Sequence, residues 1–249
     1  ELMRISDHPS KNTPIDHMEA FYKDFDSIQT EKYDGMIITG APLGQIDLEE
    51  VTFWGAMKDI LDWTTTNVTS TMFLCWAVQA AMRHLYGVPK YLLPKKISGV
   101  YPHRLVKRLS PIVRGFDDIF DAPHSRYAEV REEDILALSE LVIVADSERA
   151  GPYIIASKNG RQLFVTGHSE YEPSCLLDEY KRDLLAGINP EIPENYFPNN
   201  DPSKKPIVTW KSHGNLLFSN WLNYYVYQLT PYESEQIGET MRKATVELS

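Results

Sequence analysis

The chain has 249 residues, 43% of them hydrophobic and 11% aromatic, which is enough apolar surface for one large packed core. Acidic residues outnumber Lys and Arg by 35 to 25, and the net charge of −10 argues against a general affinity for nucleic acids or anionic membranes, which require basic surfaces. No apolar run approaches the roughly 20 residues of a membrane-spanning helix, no secretory leader opens the chain, and two cysteines are too few for a disulfide framework, so a reducing, cytoplasmic setting is expected.

The chain opens at Glu1 on Leu2-Met3-Arg4-Ile5, already strand-like, as though it began partway into a fold. Tyr33 to Gly40 is a β-branched run closed by glycine, and Ala41-Pro42-Leu43-Gly44 reads as the turn after it. From Glu49 to about Thr64, Val51, Trp54, Met57, Ile60 and Leu61 recur at three- and four-residue steps, which predicts an amphipathic helix. Ser70 to Leu74 is the next strand, and Ala77 to Tyr86 the next helix, stopped by Gly87 and Pro89. Lys90, Lys95, Lys96, Arg104, Lys107 and Arg108 then follow with no acidic residue among them; such a run either meets an anionic ligand or is a solvated basic loop. Leu141–Ala145, Tyr153–Ala156 and Gln162–Thr166 predict three short strands, the last two joined by an Asn159-Gly160 hairpin turn. Pro190 to Pro206 has the composition of a long surface loop, and Leu216 to Leu229 predicts a helix whose aromatic stripe suits a core or a subunit interface. Together these elements predict an α/β fold of three layers: a mostly parallel sheet with helices on both faces and some antiparallel strands from the hairpin.

Cys75 stands where the apolar run Thr71-Met72-Phe73-Leu74 passes straight into a helical pattern. A side chain on such a strand-to-helix turn is pushed out of the sheet edge as a nucleophile elbow, and the amides opening the helix can stabilise a thiolate or an oxyanion. By itself it reads first as a buried structural thiol. A nucleophile needs a base held by a third group, and Gly167-His168-Ser169-Glu170, just beyond a predicted strand, offers both at the same sheet edge.

Cys75-Trp76-Ala77-Val78-Gln79 resembles the C-x-G-x-Q elbow of class I glutamine amidotransferases, with Ala77 in place of Gly, and Gly167-His168-Ser169-Glu170 resembles their G-H-P-E. Within that superfamily the chain is most similar to the bacterial homoserine O-acyltransferases, homoserine O-succinyltransferase and its acetyl-transferring relatives. The likeness runs through Asn12-Thr13-Pro14, Thr39-Gly40-Ala41-Pro42-Leu43-Gly44, Ser98-Gly99-Val100-Tyr101, Ala122-Pro123-His124-Ser125-Arg126-Tyr127, Asn195-Tyr196-Phe197-Pro198 and Ser212-His213-Gly214-Asn215.

That resemblance implies ping-pong acyl transfer, with Cys75 attacking succinyl-CoA and the acyl-enzyme passing its group to the γ-hydroxyl of L-homoserine, in methionine biosynthesis. It makes His168 the base, Glu170 its orienter, and the amides of Trp76 and Leu43 the oxyanion hole. Lys96, Ser125 and Arg182 match substrate-binding positions, and arginine suits a carboxylate because its planar fork gives two parallel hydrogen bonds. Gly44 matches the position where glutamate accompanies acetyl transfer; glycine leaves room for the succinyl carboxylate, although a turn glycine can also serve a positive φ. No metal and no tightly bound cofactor are expected, and a homodimer is implied. Family members carry an upstream strand and a lysine-bearing loop that this chain lacks, so residues 1–249 read as a single domain truncated at its amino terminus. Three alternatives stay open: an acetyl donor, a glutaminase, which Ala77 and Ser169 disfavour, and a flavodoxin-like binding module for which Cys75, His168 and Glu170 would be coincidental.

Overall fold

The structure, a computed structural model, describes residues 1–5 and 21–231; the Asn12-Thr13-Pro14 segment lies outside them. A short parallel pair, β1 (Leu2–Arg4) and β2 (Tyr22–Asp24), leads into the turn of helix α1 (Phe25–Ile28). The remaining strands form one seven-stranded sheet in the order β3-β4-β9-β8-β7-β5-β6. These are β3 (Tyr33–Ile38), β4 (Val68–Leu74), β5 (Tyr91–Leu105), β6 (Ile119–Glu129), β7 (Leu141–Ser147), β8 (Gly151–Ser157) and β9 (Gln162–Val165).

Only β3, β4 and β9 run parallel; the other four junctions are antiparallel, which corrects the expectation of a mostly parallel sheet. Connection length decides this. A parallel return needs a crossover of a dozen or more residues, which α2 (Trp54–Asn67) supplies between β3 and β4, whereas the tight turns joining β7, β8 and β9 permit only antiparallel neighbours.

The strand period of two puts alternate side chains of β4 on opposite faces. Phe73 packs with Met57, Ile60 and Leu61 of α2 and with Ala77, Ala80 and Ala81 of α3 (Trp76–Tyr86). Met72 and Leu74 pack on the other face with Leu217, Trp221 and Tyr225. These come from α6 (Lys211–Asn220) and the π-helical turn Trp221–Tyr227, so the predicted single helix changes pitch halfway. Trp221 and Tyr225 fill core, while Tyr227 is exposed. Helix α3 stops where Gly87 takes φ +71°, its N–H bonded back to Arg83, a conformation glycine adopts without a Cβ penalty.

Two stretches differ from expectation. Most of the basic run is not a loop: Lys95, Lys96 and Arg104 lie on the long strand β5, with Lys90, Lys107 and Arg108 flanking it, and Lys95, Lys96, Arg104 and Arg108 each meet a carboxylate. The Pro190–Pro206 segment is only partly surface. Its Tyr196 and Phe197 are buried against Val100, Leu176 and Trp210, and the backbone of Glu194 bonds Ser98 and Val100 of β5. Between β6 and β7 lies the short helix α4 (Glu132–Leu136), and after β9 comes α5 (Cys175–Leu185). No helix among the described residues is long and apolar enough to cross a membrane.

Candidate active site

β4 delivers Cys75 to the carboxyl end of the sheet, and the helix begins at the next residue. The turn holds Cys75 at φ 50°, ψ −110°, a left-handed conformation that is strained for a residue with a Cβ and persists only where the surroundings enforce it. Enforcement is visible: the Cys75 N–H donates to the Val165 carbonyl at 2.9 Å, extending the β4–β9 ladder by one rung. That bond places the end of β9, and so Thr166-Gly167-His168, beside the thiol. Both cysteines are free.

The His168 loop lies flat on β6. Its N–H donates to the Pro123 carbonyl at 2.8 Å, and a Cβ on Gly167 would sit 2.7 Å from that oxygen and 2.9 Å from the His124 ring, so only glycine permits the approach. His168 Nδ1 is 2.6 Å from Glu170 Oε1. An ionised carboxylate only accepts, so Nδ1 carries a proton and Nε2 is the nitrogen that exchanges one with the thiol. Burial opposes a charged imidazole, but the hydrogen bonds and charges of Cys75 and Glu170 outweigh it and raise His168 to about 10. The ring of Tyr171 stacks on His168 with centroids 4.1 Å apart and fixes its plane.

Cys75, His168 and Glu170 open into a cavity of about 450 Å³ that also reaches Gly44, Trp76, Lys96, Ser125 and Arg182. The structure therefore brings together every residue singled out in the sequence except Leu43. The Leu43 N–H is turned to the Ala41 carbonyl at 2.7 Å, and Leu43 packs on the core rather than lining the cavity. The Trp76 amide, in the first turn of α3, has no intrahelical acceptor. Gly44 is not among the positive-φ residues, and a Cβ there would meet Tyr127 only at ordinary contact distance, 3.6 Å. The backbone does not demand a glycine at this position.

Glu179 of α5 is the residue that the sequence reading missed. Its carboxylate accepts from Tyr171 Oη at 2.7 Å, from the Ser125 hydroxyl, and from Lys96 Nζ at 3.1 Å. Burial pushes its carboxyl up, but these partners outweigh it and hold Glu179 below the ordinary range. Lys96 also meets Asp183 at 3.0 Å, and Arg182 forks onto the same Asp183 with its Nε and Nη2. The signal was present: Glu179, Arg182 and Asp183 stand at helical positions i, i+3 and i+4, on one face.

A second cavity, about 530 Å³ and mainly apolar, lies between β1, β3 and α2 and holds no nucleophile. The 450 Å³ cavity has a strained thiol, an oriented base, amides at a helix start, and fixed charges of both signs at one end. Such an arrangement can carry out acyl transfer through a covalent intermediate to a small zwitterionic acceptor.

Comparison with known proteins agrees with this chemistry. A glutamine amidotransferase from Thermotoga maritima superposes over 89% of this chain and 95% of its own, with a TM-score of 0.57 at 14% identity, which shows a shared fold. A homoserine O-acetyltransferase from Bacteroides fragilis strain YCH46 is 55% identical over 236 residues, 95% of this chain and 77% of that protein. A homoserine O-succinyltransferase from Tolumonas auensis is also 55% identical, over 239 residues, 96% of this chain and 76% of its own. The family model described as homoserine O-succinyltransferase matches residues 1–232, and the chain belongs to that family.

Proposed function

We propose that the chain transfers a succinyl group from succinyl-CoA to the γ-hydroxyl of L-homoserine through an acyl-enzyme on Cys75, forming O-succinyl-L-homoserine for methionine biosynthesis. The observation that carries this reading is the strained Cys75 elbow facing the His168–Glu170 pair inside the cavity that also holds Glu179 and Arg182.

His168 takes the thiol proton, the thiolate attacks the thioester carbon, and coenzyme A leaves with its sulfur protonated by the imidazolium where needed. The Trp76 amide faces the developing oxyanion. Homoserine then enters with its ammonium toward Glu179 and its carboxylate toward the free donors of Arg182, and His168 deprotonates its hydroxyl for attack on the acyl-enzyme. Lys96 keeps Glu179 and Asp183 ionised, and Ser125 fixes the Glu179 carboxylate. A thioester is already activated, so no further cofactor is required; the harder task is to keep water from the acyl-enzyme until the acceptor arrives.

Relatives of equal identity bear the acetyl and the succinyl names, so overall similarity does not separate the donors. Gly44 supports succinyl, because it borders the cavity without a side chain where a carboxylate would repel the succinyl carboxylate. A homodimer in the cytoplasm belongs to the same proposal, and light scattering of the purified protein tests the dimer. Intact mass after incubation with succinyl-CoA, and separately with acetyl-CoA, tests the chemistry. A succinyl adduct that disappears in Cys75→Ala is expected; an active protein with no adduct on Cys75 would falsify the mechanism, and exclusive use of acetyl-CoA would reassign the donor.

A further inference from the structure

Arg126 of β6 is a buried cation with no anion assigned to it. One terminal nitrogen donates to His124 Nδ1 and the other to the Ala150 carbonyl, both neutral acceptors, while Nε has no partner among the described residues. The direction of these bonds is fixed. A guanidinium only donates, so His124 accepts at Nδ1, carries its proton on Nε2, and passes it to His103 Nε2 at 3.0 Å. Burial, with Arg126 and His103 beside it, pushes His124 well below its ordinary value, and burial takes His103 down to about 3, so neither ring brings a charge. An unpaired buried charge is costly, and folds retain one where it meets a counter-charge at work.

Arg126 and Cys75 line the same small cavity of about 10 Å³, together with Gln79, whose Oε1 is also unpartnered. That volume admits about one water, and Arg126 and Cys75 also both border the 450 Å³ cavity. Cys75 Sγ lies 4.0 Å from the carbonyl of Ser125, the residue before Arg126. The charged and titratable groups around the pair are His168 and Glu170 from the loop after β9, Tyr171 beyond them, Tyr101 on β5, and Glu129 on β6. Glu129 borders the small cavity but directs its carboxylate to Arg131. Burial lowers Arg126, and Cys75 is the foremost influence opposing that.

We propose that Arg126 is a second buried counter-charge of the Cys75 thiolate, beside the His168 imidazolium, a positioning residue that holds the nucleophile ionised before acylation and stabilises it as the leaving group when the acyl group moves on. This rests on Cys75 being the acylated residue. Acylation turns the sulfur into a neutral thioester and strips Arg126 of its counter-charge, which raises the acyl-enzyme relative to the free thiolate. When the acceptor attacks, the carbon–sulfur bond breaks, its electron pair returns to sulfur beside Arg126, and the acceptor proton goes to His168. Both half-reactions draw on the same charge.

The test measures the ultraviolet thiolate absorption and the iodoacetamide alkylation rate of Cys75 at neutral pH, with Cys75→Ser as the blank. In Arg126→Gln, folded by circular dichroism, the band should shrink and alkylation should slow about tenfold or more, the effect of one opposite charge at close range. Arg126→Lys, which keeps the charge, should recover most of both. A folded Arg126→Gln with the wild-type band and rate overturns the proposal, and so does wild-type protein without a thiolate band, an outcome that needs no variant to fold. Mass spectrometry of wild type with succinyl-CoA separates the two readings: an adduct on Cys75 with an unaltered band in Arg126→Gln defeats this inference alone.

Discussion

At the scale of single residues, the decisive feature is a cysteine forced into left-handed backbone and answered by one imidazole. Because Glu170 fixes the proton on His168 Nδ1, the whole basicity of the ring is delivered through Nε2. His168→Ala is therefore expected to slow acylation of Cys75 about 10²- to 10⁴-fold, the usual range for a positioned base, as read by quenched-flow mass spectrometry. Glu170→Gln should cost less, since it keeps a hydrogen-bond partner for the ring. Gly44 is a cleaner probe of specificity. Its backbone conformation is ordinary and a Cβ meets only van der Waals contact, so Gly44→Glu should fold normally. Like charges brought together cost several kcal/mol, so succinyl transfer in that variant should drop on the order of a hundredfold relative to acetyl transfer. Equal succinyl transfer by both proteins would sink the charge argument.

At the scale of elements, α5 works as a cassette that supplies Glu179 and Asp183 from one face to the Lys96 ammonium of β5, with Arg182 of the same face on Asp183. Sequence reading found Arg182 by resemblance and passed over its neighbours, because an acidic–basic helix face looks the same whether it meets solvent or a buried lysine. The helix also carries a pH signature. The carboxyl of Glu179 is lowered from an ordinary 4.5 in the folded chain, so its stabilisation is complete above pH 4.5 and is lost as the pH falls through the lowered value. Urea unfolding across that acid range should show a shallower loss of stability in Glu179→Gln than in wild type. The same variant should raise the KM for homoserine with little change in the rate of Cys75 acylation, a split that a purely structural carboxylate would not produce.

At the scale of the whole molecule, the sheet joins two cores, and the carboxyl-terminal turn closes the second. Trp221 is 3% exposed and donates from Nε1 to the Ser70 hydroxyl of β4 at 3.0 Å. Trp221→Ala should destabilise the fold by about 3–5 kcal/mol, the range for deleting a buried aromatic ring. Acyl-enzyme formation per folded molecule should be retained, because Trp221 packs beneath β4 on the face away from α3. A lowered urea midpoint with wild-type adduct formation is the expected pair of results.

The sequence by itself determined the strands and helices whose apolar period is unambiguous, the elbow at Cys75, and the histidine–glutamate pair after β9, because each shows as a local pattern of residues. Strand direction escaped it, since an apolar run has no polarity of its own and only connection length and neighbours choose parallel or antiparallel pairing. β5 escaped it too: Lys95, Lys96 and Arg104 look like a solvated loop until the carboxylates that neutralise them arrive from β7, α5 and the loop after α5. The pincer around Lys96 was decided by tertiary structure alone, for a physical reason. Whether a donor or a charge is free depends on what packs against it, and the carboxylates on Lys96 stand 83 and 87 residues away along the chain.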